Sequence, residues 1–198
     1  MKDFNQLTYR NQPTYDEAAL RQILSSVIPV KTIVIHCMDP RVTEIPEVVA
    51  ARLGGEVYPG EVIYNEEGRK VGSTRTLLPI TTAGGRAVSA LQSITTMEYL
   101  FGVENVVVVH HSFCGTTVFT AESLIEGFKH EHGADISAEY DHDSLSIEDY
   151  EQSLKYDVSK IRSAPGVPAY INIYGFFYNI DSGELIEVVR DIPALAPA

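Results

Sequence analysis

Two stretches rich in β-branched residues dominate the sequence: Val30-Lys31-Thr32-Ile33-Val34-Ile35, which leads into His36 and Cys37, and Val106-Val107-Val108-Val109, which leads into His110 and His111. Runs that are apolar on both faces predict strands in the interior of a parallel sheet. A parallel pair needs a crossover, usually a helix. A helical pattern expected from about Arg86 to Phe101 supplies it, with Leu91, Ile94 and Phe101 on one side and Gly102 suited to the C′ position. The strand, helix, strand order implies a right-handed connection and parallel pairing. The expected fold is α/β, a central and mostly parallel sheet flanked by helices.

The remaining segments fit around that pair. Thr14-Tyr15-Asp16-Glu17 has the form of a capping box and predicts a helix to about Ser26, with Leu20, Ile23, Leu24 and Val27 as its apolar face. Residues 1–13 read as an N-terminal arm. A short helix is expected over Glu44 to Leu53, followed by a hairpin-like excursion in which Val62-Ile63-Tyr64 pairs across Asn65-Glu66-Glu67-Gly68 with an extended segment, Val71 to Ile80. Further helices are expected from Thr116 to Lys129, with Val118, Leu124, Ile125 and Phe128 inward, and from a Ser146/Asp149 start, with Tyr150, Leu154, Val158 and Ile161 inward. Strands over Ala169 to Asn179 and Leu185 to Val189 complete one domain spanning 1–198.

Composition excludes several classes of function. A net charge of −12 without a basic cluster argues against nucleic acid and anionic membrane surfaces as partners. No apolar run approaches the roughly 20 residues of a membrane-spanning helix, so a cytoplasmic protein is expected. Two cysteines in such a chain point to metal ligation or reactive thiols rather than a disulfide framework.

Those two cysteines carry the chemistry. Cys37 opens Cys37-Met38-Asp39-Pro40-Arg41, and Cys114 follows His111 at the spacing His-x-x-Cys. Both lie at the carboxyl ends of expected strands, where open parallel sheets bind ligands. Cys37, His111 and Cys114 form a Cys2His set that suits one catalytic zinc per chain, leaving a fourth position free, and the expected nucleophile is zinc-bound hydroxide. Cys114 is expected to open a helix whose N-terminus favours its thiolate. Pro40 holds Asp39 extended, which places its carboxylate beside the metal, either as fourth ligand or as an acceptor for metal-bound water. A bidentate Arg41 clamp would favour the second use. His36 and His110 should point away from their neighbours Cys37 and His111, as packing or supporting residues. His130, His132 and His142 fall in an acidic stretch expected to be an exposed loop, and Gly84-Gly85 marks a turn whose N–H groups can approach an anion.

These motifs resemble those of the β-class carbonic anhydrases. Cys37-Met38-Asp39-Pro40-Arg41 is similar to the family's Cys-x-Asp-x-Arg, His111-Ser112-Phe113-Cys114-Gly115 to its His-x-x-Cys-Gly, and Tyr174-Gly175-Phe176-Phe177-Tyr178 to its late Gly-aromatic strand. The resemblance spans about Glu17 to Val189. It implies a sheet-centred α/β fold, zinc on Cys37, His111 and Cys114, a catalytic dyad of Asp39 and Arg41, and a homodimer or higher homo-oligomer with pockets near the subunit interface. The implied activity is reversible hydration of carbon dioxide to bicarbonate. The alternative is hydrolysis of carbonyl sulfide or carbon disulfide by the same zinc site, and a non-catalytic zinc or thiol sensor is the reading from another class. Three departures bear on the pocket: Thr81-Thr82-Ala83-Gly84 stands where relatives often carry Arg-Asn-Ala-Gly, His110 where they often carry Gly, and the excursion from Glu61 to Pro79 is longer than usual.

Overall fold

The structure, a computed structural model, describes residues 3–194. The first two residues of the expected arm and the last four of the chain lie outside that range. Its centre is a five-stranded sheet in the order β4-β1-β5-β6-β7, in which β1 (Thr32–Cys37), β4 (Leu77–Thr82), β5 (Asn105–His111) and β6 (Asn172–Tyr178) are parallel and β7 (Leu185–Asp191) runs antiparallel to β6. The interior strands β1 and β5 are the two β-branched runs, and every residue of β1 is buried.

Helices cover both faces. On one side Ile33 and Ile35 of β1 and Val106 and Val108 of β5 pack with Ile94 of α3 (Leu91–Phe101) and with Leu154, Val158 and Ile161 of α5 (Tyr150–Ser163). On the other, Val34, Val107, Val109 and Phe176 pack with Ile45, Val49 and Ala50 of α2 (Ile45–Leu53) and with both cysteines. The outer helices α1 (Glu17–Val27) and α4 (Ala121–His132) bury far less. No residue of α1 is fully buried, and Ile23, Val118 and Phe128, expected inward, are exposed.

Several boundaries differ from the sequence expectation, each for a local reason. Asp16, not Thr14, caps α1, its carboxylate accepting the Ala19 N–H at 3.0 Å. Asp149 rather than Ser146 caps α5 in the same way, through the Gln152 N–H at 2.8 Å. The segment expected from Val71 to Ile80 divides into two strands: β3 (Lys70–Ser73) closes a hairpin with β2 (Val62–Tyr64), and the chain then enters the main sheet as β4. Pro79 sits within β4, an edge strand paired only with β1, where a missing N–H does not interrupt the sheet. Between β4 and α3 the chain makes two short 3-10 turns, Ala83–Gly85 and Val88–Ala90, so α3 begins five residues later than expected, at Leu91. Cys114 precedes only a three-residue 3-10 turn, Gly115–Thr117, and α4 begins at Ala121 under a Thr120 cap. The helix-dipole rationale for its thiolate therefore falls. His130 and His132 are exposed on the last turn of α4 rather than in a loop.

Ile35→Ala, which empties a fully buried site between β1 and the α3/α5 layer, should lower the unfolding free energy by about 2–5 kcal/mol. Ile63→Ala on the exposed hairpin should change it by no more than about 0.5 kcal/mol. Urea unfolding of the two variants checks both; equal effects would contradict this partition of the core.

Candidate metal centre

The carboxyl ends of β1 and β5 bring together residues far apart in sequence. Cys37 Sγ and Cys114 Sγ lie 3.8 Å apart, and the ligand atoms of Cys37, His111 and Cys114 all fall within 4.8 Å of one another. All three residues are buried. His111 Nδ1 faces the Ser112 carbonyl at 3.0 Å, and donation there leaves Nε2, which is buried and has no partner, as the ligand nitrogen. Two thiolates on one tetrahedral zinc, each at about 2.3 Å, would stand about 3.8 Å apart. Spacing, donor chemistry and the orphaned Nε2 all fit a single zinc ion.

The electrostatics of the pair need a cation. Sharing one proton between the sulfurs pushes the Cys37 thiol up and the Cys114 thiol down, and the two titrate as a unit. Burial opposes charge on His111, but the Cys114 thiolate, the Ser112 carbonyl and Asp39 together outweigh it and raise the imidazole pKa. The Thr116 hydroxyl, 3.2 Å from Cys114 Sγ, also supports that thiolate. A divalent ion would replace the shared proton and allow both sulfurs to ionise.

Asp39 and Arg41 form the bidentate pair that their spacing suggested. Arg41 donates through Nε to Asp39 Oδ1 at 3.0 Å and through Nη2 to Oδ2 at 2.6 Å, and its backbone N–H adds a bond of 2.9 Å to Oδ1. These bonds hold the Asp39 carboxyl well below the usual carboxylate range. Oδ2 stands 3.9 Å from His111 Nε2. Nη2 of Arg41 also donates to the Phe113 carbonyl at 2.9 Å, joining the two motifs directly. Phe113 adopts φ 55°, in the left-handed region that a phenylalanine rarely enters.

No family model matches the chain. Beta-carbonic anhydrase 1 of Mycobacterium tuberculosis is 26% identical over 98 residues, which is 50% of this chain and 58% of the relative. The chain thus spans less than two thirds of the length of the curated relatives it matches. The crystal structure of carbonic anhydrase from Streptococcus mutans superimposes with a TM-score of 0.58 at 27% identity, covering 80% of this chain and 81% of the other. A structure described as the apo form of carbon disulfide hydrolase gives a TM-score of 0.57 at 18% identity, over 91% and 86% of the two chains, a likeness of fold. In sequence and in fold the chain is similar to β-carbonic anhydrases.

Among the residues singled out in the sequence, Cys37, Asp39, Arg41, His111 and Cys114 converge. His36 and His110 are buried neighbours outside the ligand group, each held toward the neutral form by burial. The histidines at 130, 132 and 142 are exposed. Residues that the β-carbonic anhydrase motifs do not point to are Thr116, Arg86 and Asp157. Asp157 did leave a signal: it occupies the apolar face of α5 between Leu154 and Val158, where a carboxylate requires a partner.

The purified chain should carry about one zinc. Cys114→Ser should weaken zinc binding by more than the roughly 100-fold at which changes outside the ligand set end, whereas Asp39→Asn and Arg41→Ala should retain the metal. Metal analysis after dialysis against a chelator separates these outcomes, and zinc loss in all three variants would contradict the division of roles.

Proposed function

We propose that this chain is a zinc-dependent lyase that interconverts carbon dioxide and water with bicarbonate and a proton. The observation that carries the reading is the Asp39–Arg41 clamp: a carboxylate held ionised 3.9 Å from the ligand nitrogen of His111, a device for which a purely structural or sensing metal site has no use.

Cys37, His111 and Cys114 would hold the zinc, which when bound supplies an acidified water, with a pKa near about 7 in strongly activating sites against about 15.7 in bulk. The chain's own residues do the rest. Both Asp39 oxygens are engaged by Arg41, a pairing that competes with coordination of the carboxylate and would leave the fourth position of a bound zinc to water. Oδ2 retains lone-pair capacity to accept a hydrogen bond from a water or bicarbonate hydroxyl. Held ionised by Arg41, Asp39 can only accept a hydrogen bond, so it favours species that donate one to it and disfavours anions that cannot. The proton released on hydration leaves to solvent or buffer. His36, buried and held neutral, is a poor carrier for it.

The other parts of the proposal are the single domain and cytoplasmic location expected from the sequence and the homo-oligomer that the resemblance implies. Residues 1–198 act as one catalytic domain, with 1–13 as an arm, in a cytoplasmic homodimer or higher homo-oligomer. No helix among the described residues is long and apolar enough to cross a membrane. A second reading, hydrolysis of carbonyl sulfide or carbon disulfide, is favoured by the apolar side chains beside the site, Met38 and Phe113, which are 62% and 70% exposed.

Stopped-flow hydration of carbon dioxide by the zinc-loaded protein tests the first reading, and a rate no better than buffer overturns it. Arg41→Ala should keep zinc and lose about 10²–10⁴-fold in hydration. Sulfide release from carbonyl sulfide, measured beside it, decides for the second reading if it greatly exceeds hydration.

A further inference from the structure

On the α5 side of the sheet lies a buried charged network that none of the site motifs contains. The side chains of Arg86 and Asp157 are 3% and 0% exposed. Arg86 donates through Nε to Asp157 Oδ2 at 3.0 Å and through Nη2 to Oδ1 at 3.2 Å. Its remaining bonds go to the carbonyls of Ser146 and, at 2.8 Å, Asp143. His110, completely buried, places Nε2 3.2 Å from the same Oδ2. One carboxylate on α5 thus holds both the segment that follows β4 and the end of β5.

Both held groups lead to the metal centre. Arg86 directly follows Gly84 and Gly85. A Cβ on Gly85 would lie 2.6 Å from the Val109 carbonyl oxygen and 3.1 Å from the Cys37 nitrogen, so the turn is wedged against the ends of β1 and β5. A Cβ on Gly84 would lie 2.7 Å from Thr116 Oγ1, the hydroxyl that contacts Cys114 Sγ. His110 immediately precedes His111. His111 is therefore one residue, and Cys37 one contact, from a group that Asp157 or Arg86 fixes, and Cys114 is two contacts away, through Thr116 and Gly84.

Such a pair is a poor source of stability. The cost of desolvating two charges offsets their attraction, and apolar side chains of similar volume often serve as well or better. Its value lies in fixing position, because a bidentate guanidinium with carbonyl acceptors permits one geometry. We propose that Arg86 and Asp157, acting with His110, are positioning residues that pre-form the Cys37/His111/Cys114 site from the far face of the sheet. The proposal rests on that trio holding zinc, and not on which reaction the zinc serves.

The test uses the full-length zinc protein and two variants, Arg86→Lys and the charge-free double variant Arg86→Met/Asp157→Leu, with Ile161→Val as a control that perturbs the α5 core without touching the network. Three measurements are made on each: the urea midpoint, the rate of zinc transfer to a chromophoric chelator, and the visible spectrum of the cobalt-substituted protein. Both network variants should release zinc about 10–100-fold faster than the parent and shift the cobalt bands, while Ile161→Val lowers the urea midpoint with parental release and spectrum. Parental release and spectrum in folded network variants would overturn the proposal, as would equal changes in the control. If the double variant does not fold, Arg86→Lys decides by the same two readouts. A parent that takes up no zinc would instead refute the metal site itself.

Discussion

The structure turns on two sulfur atoms 3.8 Å apart in a buried place, contributed by residues 77 positions apart. Two thiols so close cannot both ionise without a cation, and apolar surroundings make a lone thiolate costly. The same closeness is what zinc requires of two ligands on one tetrahedron. The sheet makes the meeting possible. Parallel strands end on the same edge, so adjacent β1 and β5 deliver Cys37 and the His111–Cys114 turn to one point without a long loop.

Delivery alone does not make a site; the strand ends must also be held against each other. That task falls to the turn after β4, where Gly84 and Gly85 both adopt positive φ and Gly85 approaches the backbone of β1 and β5 more closely than a side chain would allow. A turn so poor in side chains cannot anchor itself. Its next residue, Arg86, reaches across to α5, so the rigidity of the metal edge derives from a helix on the α3/α5 side of the sheet. Site and core are mechanically one object here.

This division also explains what the sequence revealed. The interior strands were legible because β-branched runs have few other uses, and the five residues of the centre because Cys-x-Asp-x-Arg and His-x-x-Cys are local spacings that chemistry constrains. The expected hairpin at β2 and β3 formed, but β4 was merged with β3 because no strong turn residue separates Ser73 from Leu77. Helix starts slipped where two candidate caps lay close together, as with Thr14 and Asp16. The Arg86–Asp157 pair was invisible because its members are 71 residues apart and neither belongs to a spacing pattern. Only the misfit of a carboxylate on the buried face of α5 marked it.

The structure ties the two motifs through a main-chain atom. Arg41 spends one N–H on the Phe113 carbonyl, and Phe113 holds a left-handed conformation that costs a non-glycine residue about 1–3 kcal/mol. That conformation aims the carbonyl at the guanidinium while its side chain remains largely exposed beside the site. The bond therefore does two things at once. It fixes the guanidinium that orients Asp39, and it sets where an exposed aromatic side chain stands. The Asp39–Arg41 clamp and the exposed Phe113 ring are thus coupled through one residue. A change at Phe113 that relaxed the backbone would loosen the clamp and shift the ring together, so the Asp39–Arg41 geometry and the position of that aromatic side chain cannot vary independently.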